Sequence, residues 1–245
     1  MHDKPRSQSQ MTSVTMAVDD YCSEAGPVMH KQVFLLYLLL AFGTLSGASE
    51  STPPASLSTL AAKADLVAVA QVMDTDYVYT RSFPSEGSAF LKVLIPYKPK
   101  KNTAEIIEVY EKGLHLHECY FENPTVLEEG RRYLVFFRRN PDDPDNYRGL
   151  AQGCALEILV TARNRYALKY PVDGIELTDK LDQLAVQYDF RDDHALVSEE
   201  SLPPVERDAL LAKGLIIPYR EGFKYTHGID LTAARSLISA EALKP

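Results

Sequence analysis

Between Ala64 and Tyr170 the chain is a series of short runs rich in valine, isoleucine, leucine and tyrosine, set apart by clusters of turn-forming residues. No helical crossover pattern lies between successive runs. Parallel strands that follow one another in sequence need such a crossover, usually a helix. The pattern therefore predicts a mainly β structure with antiparallel pairing. Its first run, ADLVAVAQVMDTDYVYT from Ala64, carries valine and small apolar residues at both phases near its start, as expected of a strand covered on both faces. SFPSEGS reads as a break. Leu91, Val93, Ile95 and Tyr97 then share one phase of a second strand, which ends in the basic turn PYKPKKN. Glu105 to Glu111 reads as a third strand, and LHLHECYF after Gly113 alternates again. ENPTVLEEG is a turn region leading into RRYLVFF, a strand ending at Arg138-Arg139. NPDDPDNYRG is a long hairpin loop, and ALEILV and RYALKY are the last strands. Five to seven short strands over roughly 110 residues predict a small antiparallel barrel or sandwich.

The flanks have a different texture. Ser58 is placed to cap a short helix through Lys63. After Pro171, the helical spacing of Leu177, Leu181, Leu184, Ala185 and Tyr188 predicts an amphipathic helix. RDDHALVSEES reads as a charged linker. PPVERDALLAK predicts a second helix with prolines in its first turn, stopped by Gly214, with Leu215 folding back on Leu211. LIIPY and FKYT, joined by REG, predict a hairpin, and Asp230 is placed to cap a last helix, LTAARSLIS. The expected organisation is a barrel over residues 58–170 and an α+β, helix–hairpin–helix extension over 171–245.

Upstream, Lys31-Gln32 precedes the apolar run VFLLYLLLAFGTL (33–45) and the small residues Ser46-Gly47-Ala48. A basic flank, a short apolar core and a small-residue site predict a signal peptide cleaved after Ala48. The run falls short of the roughly 20 apolar residues a membrane span needs, so no stable membrane insertion is expected after cleavage. The polar stretch before Met29 is an unusually long leader flank, which leaves Met1 and Met29 as alternative starts, Met29 being the expected one. No cysteine stands at the cleavage point for a lipid anchor. Residues 1–48 thus read as leader and 49–57 as a polar spacer, and the expected location is periplasmic or secreted. The net charge is -8, and the exported portion keeps nearly all of it without a basic stripe. That argues against nucleic acid as a partner. Of the cysteines, Cys22 leaves with the leader, while Cys119 and Cys154 remain as an even pair in an oxidising compartment. A disulfide is expected, worth about 3–4 kcal/mol in the chain-entropy model.

Ala64-Asp65-Leu66-Val67 at the first strand, Gly130 followed by Tyr133-Leu134-Val135 in a later one, and this cysteine pair resemble the netrin-like, tissue-inhibitor-of-metalloproteinases type of OB-fold domain, over roughly residues 58–160. The resemblance implies an OB-type antiparallel barrel that binds a protein or ligand through its loops and one face. Here the loops are expected to be 81–88, 98–104 and 140–148. The inhibitors chelate a protease's zinc through an N-terminal cysteine. Here the expected mature start is Ser49-Glu50, so that wedge is not carried over.

For chemistry, His115-x-His117-x-Cys119 is the sharpest constellation. Residues two apart on a strand point the same way, and imidazole and thiolate suit zinc or copper. Leu114 and Leu116 claim the core face, however, and a disulfide removes the Cys119 thiolate, so surface histidines are expected. Asp192-Asp193-His194 reads as a solvated loop. Asp142, Asp143 and Asp145 lack the ligand spacing, glycine and glutamate of a calcium loop. Lys98, Lys100 and Lys101 read as a solvated turn. No G-x-S-x-G elbow, H-E-x-x-H helix or glycine-rich phosphate loop occurs. The expected role is non-catalytic: an exported binding module, without cofactor, for an exported or cell-envelope protein or ligand. The alternative is a metal-binding or hydrolytic protein using His115 and His117. N-terminal sequencing of the exported product is expected to begin at Ser49, and alkylation without reductant to find no free thiol. A product retaining residues 1–48, or two reactive thiols, counts against this reading.

Overall fold

The computed structural model describes residues 55–80, 83–99, 103–112, 127–150 and 153–239. Residues 1–54, expected to be leader and spacer, and the LHLHECYF stretch with His115, His117 and Cys119 lie outside the described residues. Among the described residues are twelve strands and three short α-helices, and no helix is long and apolar enough to cross a membrane.

Strands β1 (Leu66–Thr80), β2 (Phe83–Lys98), β3 (Ile106–Lys112), β4 (Arg132–Arg139) and β5 (Tyr147–Gly149) close a five-stranded barrel in the order β1-β2-β3-β5-β4, with β4 returning to β1. Four of the five pairings are antiparallel. The fifth, β3 with β5 through Val109↔Tyr147, is parallel and corrects the expected all-antiparallel barrel. The crossover argument concerns strands adjacent in sequence, whereas here β4 intervenes, and its hairpin with β5 turns β5 parallel to β3. Along the edge of β4 away from β1, β5 pairs with Phe137–Arg139, and β6 (Ala155–Val160) pairs with Arg132–Val135. The sheet continues through β7 (Tyr166–Tyr170), β12 (His227–Asp230) and β8 (Val186–Gln187), nine strands in all.

The mixed phases of β1 have the expected cause. Leu66, Ala68, Ala70 and Val72 enter one core with Leu91, Val109, Val135 and Phe137, while Val67 and Val69 enter a second with Leu57, Leu60, Leu134, Phe136 and Ile229. Strand β4 divides its side chains in the same way, so both strands are buried on both faces. Strand β2 departs from its single predicted phase. Leu91 and Val93 face the barrel interior, whereas Ile95 and Tyr97 pack on the outer core. The register shift against β1 at Val69/Ala70, where Leu94 is the extra residue, causes the change, because an extra residue in one strand turns the residues after it to the other face.

The expected break at SFPSEGS is also corrected. Phe83 already pairs with Thr80, and residues 83–88 belong to β2 rather than to a binding loop. Gly87 makes that possible, with φ +138° and a position where an added Cβ would stand 2.0 Å from the Asp76 carbonyl oxygen.

Helix α1 (Leu57–Lys63) covers the outer core and is capped by Ser56 rather than Ser58: the Ser56 hydroxyl accepts from Thr59 N–H at 3.1 Å. An acid and a base hold its two ends. Leu57 N–H donates to Asp179 Oδ2 at 2.7 Å, and Lys98 Nζ donates to the carbonyls of Ala61 and Ala64 at 3.0 and 2.5 Å. These charges have the sign that a helix dipole favours at each end. Lys98 is thus a structural cap, not a solvated turn residue.

The helix expected over Leu177–Tyr188 does not form; only a 3-10 turn at Leu181–Gln183 does. The Glu176 carbonyl instead accepts from Ala55 N–H and Thr178 N–H donates to the Ala55 carbonyl, while Val186–Gln187 pairs with β12. Leu177, Leu181, Leu184 and Ala185 still reach the outer core, so the apolar spacing was real and its period misleading. Farther on, α2 (Pro204–Ala212) starts on prolines and ends before Gly214, at φ +68°. Strands β10 (Ile216–Tyr219) and β11 (Gly222–Tyr225) form the expected hairpin, with β9 (Leu196–Ser198) beside β11. Asp230 accepts from Thr232 N–H at 2.8 Å, at the start of α3 (Leu231–Ser239). A third core joins Leu159, Ala167 and Phe190 to Leu210, Leu215, Ile216 and Tyr225.

Phe136 is fully buried in the outer core. Phe136→Ala is expected to destabilise the fold by about 3–5 kcal/mol in urea unfolding. Val205→Ala, at a position 86% exposed, is expected to change stability by less than about 0.5 kcal/mol.

Candidate functional site: a charged cleft between barrel and extension

Each apolar residue of β6 and β7 that points into a core forces its sequence neighbour to the opposite face of the sheet. Leu156 and Ile158 are buried, so Glu157 faces the other way; Leu168 is buried, so Lys169 does the same. The two lie one step beyond the Ile158↔Leu168 pair on their strands. Where they project, the turn before β4, the segment after β7, β9, the start of α2 and β11 surround an open cleft of about 770 Å³.

A ladder of alternating charges runs along its wall. Arg131 Nε reaches Glu128 Oε2 at 2.6 Å, and the Arg131 guanidinium also pairs with Glu157. Glu157 Oε2 accepts from Lys169 Nζ at 2.9 Å, and Lys169 also pairs with Asp173. The ammonium sits 4.3 Å from the centroid of the Tyr225 ring, close enough for a cation–π contact. Burial opposes the charge on Lys169, but the Glu157 and Asp173 carboxylates outweigh it and hold the ammonium pKa well above its ordinary value. Burial likewise raises the phenol of Tyr225, with Lys169 partly opposing, and the phenol of Tyr133 beside Arg131. A lysine held this firmly as ammonium is no neutral-amine nucleophile or base. The ladder is suited to fixing charge in place, not to passing protons.

The residues singled out by sequence have other positions. His115, His117 and Cys119 lie outside the described residues. Cys154 is buried at the barrel core beside Ala155. Among the described residues, no group of three or more His, Cys, Asp or Glu side chains could hold a metal ion. Asp192 is not the solvated residue expected. Its side chain accepts from Val160 N–H and His194 N–H, each at 3.2 Å, and lies 3.5 Å from the Arg132 guanidinium. It ties the extension to β6 and leaves His194 on the cleft wall. In the 140–146 loop, Asn140 and Asp143 accept from the backbone N–H of Asp142 and Asp145, local turn bonds that stiffen the loop. Glu157, Lys169 and Tyr225 went unread in the sequence. The available signal was one charge in each of two apolar strands, ALEILV and RYALKY, at positions that an antiparallel hairpin brings side by side.

No family model matches the chain, and no curated protein or solved structure matches it either.

Removing Lys169 takes from Glu157, 15% exposed, one of its two partners, leaving Arg131, and takes the ion-pair partner from Asp173, which is 38% exposed. Lys169→Met is therefore expected to cost about 1–3 kcal/mol, read by urea unfolding. The raised pKa values of Lys169, Tyr133 and Tyr225 also fix a pH dependence. Above about pH 10, where the unfolded groups lose their protons, the folded chain holds more protons than the unfolded one. Stability present below that pH is lost as it rises. Thermal unfolding between about pH 8 and 11 is expected to show the fall, and Lys169→Met to make it shallower.

Proposed function

We propose that the chain is an exported, non-catalytic binding module: an OB-type, netrin-like barrel stapled by a Cys119–Cys154 disulfide, with its ligand site in the cleft that the C-terminal extension walls off. The β1-β2-β3-β5-β4 closure supports the OB-type reading, since that class is a five-stranded Greek-key barrel. The burial of Cys154 in the barrel core supports a structural rather than a reactive role for the thiol pair. The observation that carries the binding reading is the cleft itself. Its volume lies within the usual range for ligand sites, about 300–1,000 Å³, and the charges of the ladder from Glu128 to Asp173 on its wall are already paired. A site whose polar groups are fixed beforehand loses little freedom when a ligand arrives.

A cleft of this kind leaves the barrel free to act as scaffold. Binding then depends on residues of β6, β7, β9, α2 and β11 more than on the loops at 98–104 and 140–148. The test is thermal shift of the purified protein against a panel of anionic, cationic and neutral small molecules and peptides. Ser201 lines the cleft and is exposed, so Ser201→Trp fills it from the rim. A ligand that raises the melting temperature of the native protein and loses that effect in Ser201→Trp is the expected result. Ligand shifts that survive Ser201→Trp would move the site elsewhere.

A further inference from the structure

We infer that the cleft takes a short basic peptide, seated with a lysine or arginine side chain against Tyr225. This rests on the cleft being the binding site, and it names the ligand class. Tyr225 is 4% exposed and lines the cleft, yet among the described residues its hydroxyl has no hydrogen-bond partner. Its oxygen is not fully buried, so it opens on the cleft, where a donor on a ligand can replace water as its partner.

The charge of the surroundings selects which group. The cleft lining carries the carboxylates of Glu128, Glu157, Asp173, Glu200 and Glu206, against the two cations Arg131 and Lys169. Both cations are already shared, each between two carboxylates. Glu200 and Glu206 have no ion-pair partner among the described residues, and the Glu206 charge acts on the Tyr225 phenol. An incoming ammonium or guanidinium finds carboxylates at the rim and the phenol oxygen as acceptor within. An incoming carboxylate finds no uncommitted cation in the lining.

The shape selects a peptide over a small amine. Among the described residues, strand β9 forms one edge of its three-stranded sheet, pairing with β11 alone, and all three of its residues line the cleft. An extended peptide can be laid along such an edge, with alternate side chains entering the cleft. Val172, Leu196 and Leu202 on the walls offer apolar surface for the methylenes of a lysine or arginine stem.

The probe is a fluorescein-labelled heptapeptide of alternating lysine and alanine, with a glutamate–alanine counterpart, followed by fluorescence anisotropy with the purified protein in about 150 mM salt, where weak long-range attraction is screened. The lysine peptide is expected to bind and the glutamate peptide not. Tyr225→Phe keeps the ring under Lys169 and breaks no internal hydrogen bond, so it should fold normally while weakening binding about five- to tenfold. Glu200→Gln/Glu206→Gln should weaken it about tenfold or more. Asp142→Asn/Asp145→Asn removes the same charge from the 140–146 loop, which does not line the cleft, and should leave binding unchanged. Equal losses in the two double variants, an unaffected Tyr225→Phe, or equal binding of the glutamate peptide would overturn the inference. If the lysine peptide fails while another ligand shows a Ser201→Trp-sensitive thermal shift, the ligand class is wrong and the cleft remains the site.

Discussion

The pairing of β1 with β4, in unbroken register from Leu66↔Phe137 to Gln71↔Arg132, is the contact from which the rest of the molecule is built. It closes the barrel, and because both strands are buried on both faces it also forms the wall of the outer core. Side chains alternate along a strand, so a single stretch such as Leu66–Val72 supplies two cores at once. A polar substitution at either phase would be buried, which is why this region of the sequence holds an almost unbroken apolar run. Helices α1 and α3 and strands β7 and β12 then pack on the outer side of that wall, and the extension is carried with them.

The cleft is the consequence of the same alternation one strand farther out. On β6 and β7, alternate residues still serve the outer core, and on the opposite face Leu159 and Ala167 enter the third core, but Glu157 and Lys169 on that same face meet the open space below the extension. Charged residues are tolerated there because each finds a partner. The ladder from Glu128 to Asp173 holds three carboxylates, a guanidinium and an ammonium together at a modest net contribution to stability, since desolvation and attraction largely offset in such pairs. Its larger effect is on order: the walls of the cleft are fixed by mutual charge rather than by ligand.

Much of the fold was legible because its elements follow local rules. β1 announced its double burial through valine and small residues at both phases. The hairpin at 216–225, the helix stopped by Gly214 and the cap at Asp230 each depend on residues within a few positions of one another. The Leu177–Tyr188 segment was not legible, because its apolar spacing suits a helix in isolation while its backbone bonds go to Ala55 and β12, more than 100 and about 40 residues away in the chain. Asp192 was misread for the same reason. A charged residue in a charged stretch carries no sign that Val160 N–H and Arg132 will surround it. The cleft was least visible of all, since Glu157, Lys169 and Tyr225 come from three strands and form a site only through their arrangement.

The amino-acid order by itself determined a mainly β barrel, a strand covered on both sides, and a helix and hairpin in the C-terminal part, because short-range periodicity and turn chemistry are written in neighbouring residues. Tertiary structure alone decided that β5 lies parallel to β3, that β2 changes face midway, and that five charges line up beside a buried phenol. Those outcomes depend on register between distant segments, where a shift of one residue sends a side chain to the opposite face, and no local pattern records the register chosen.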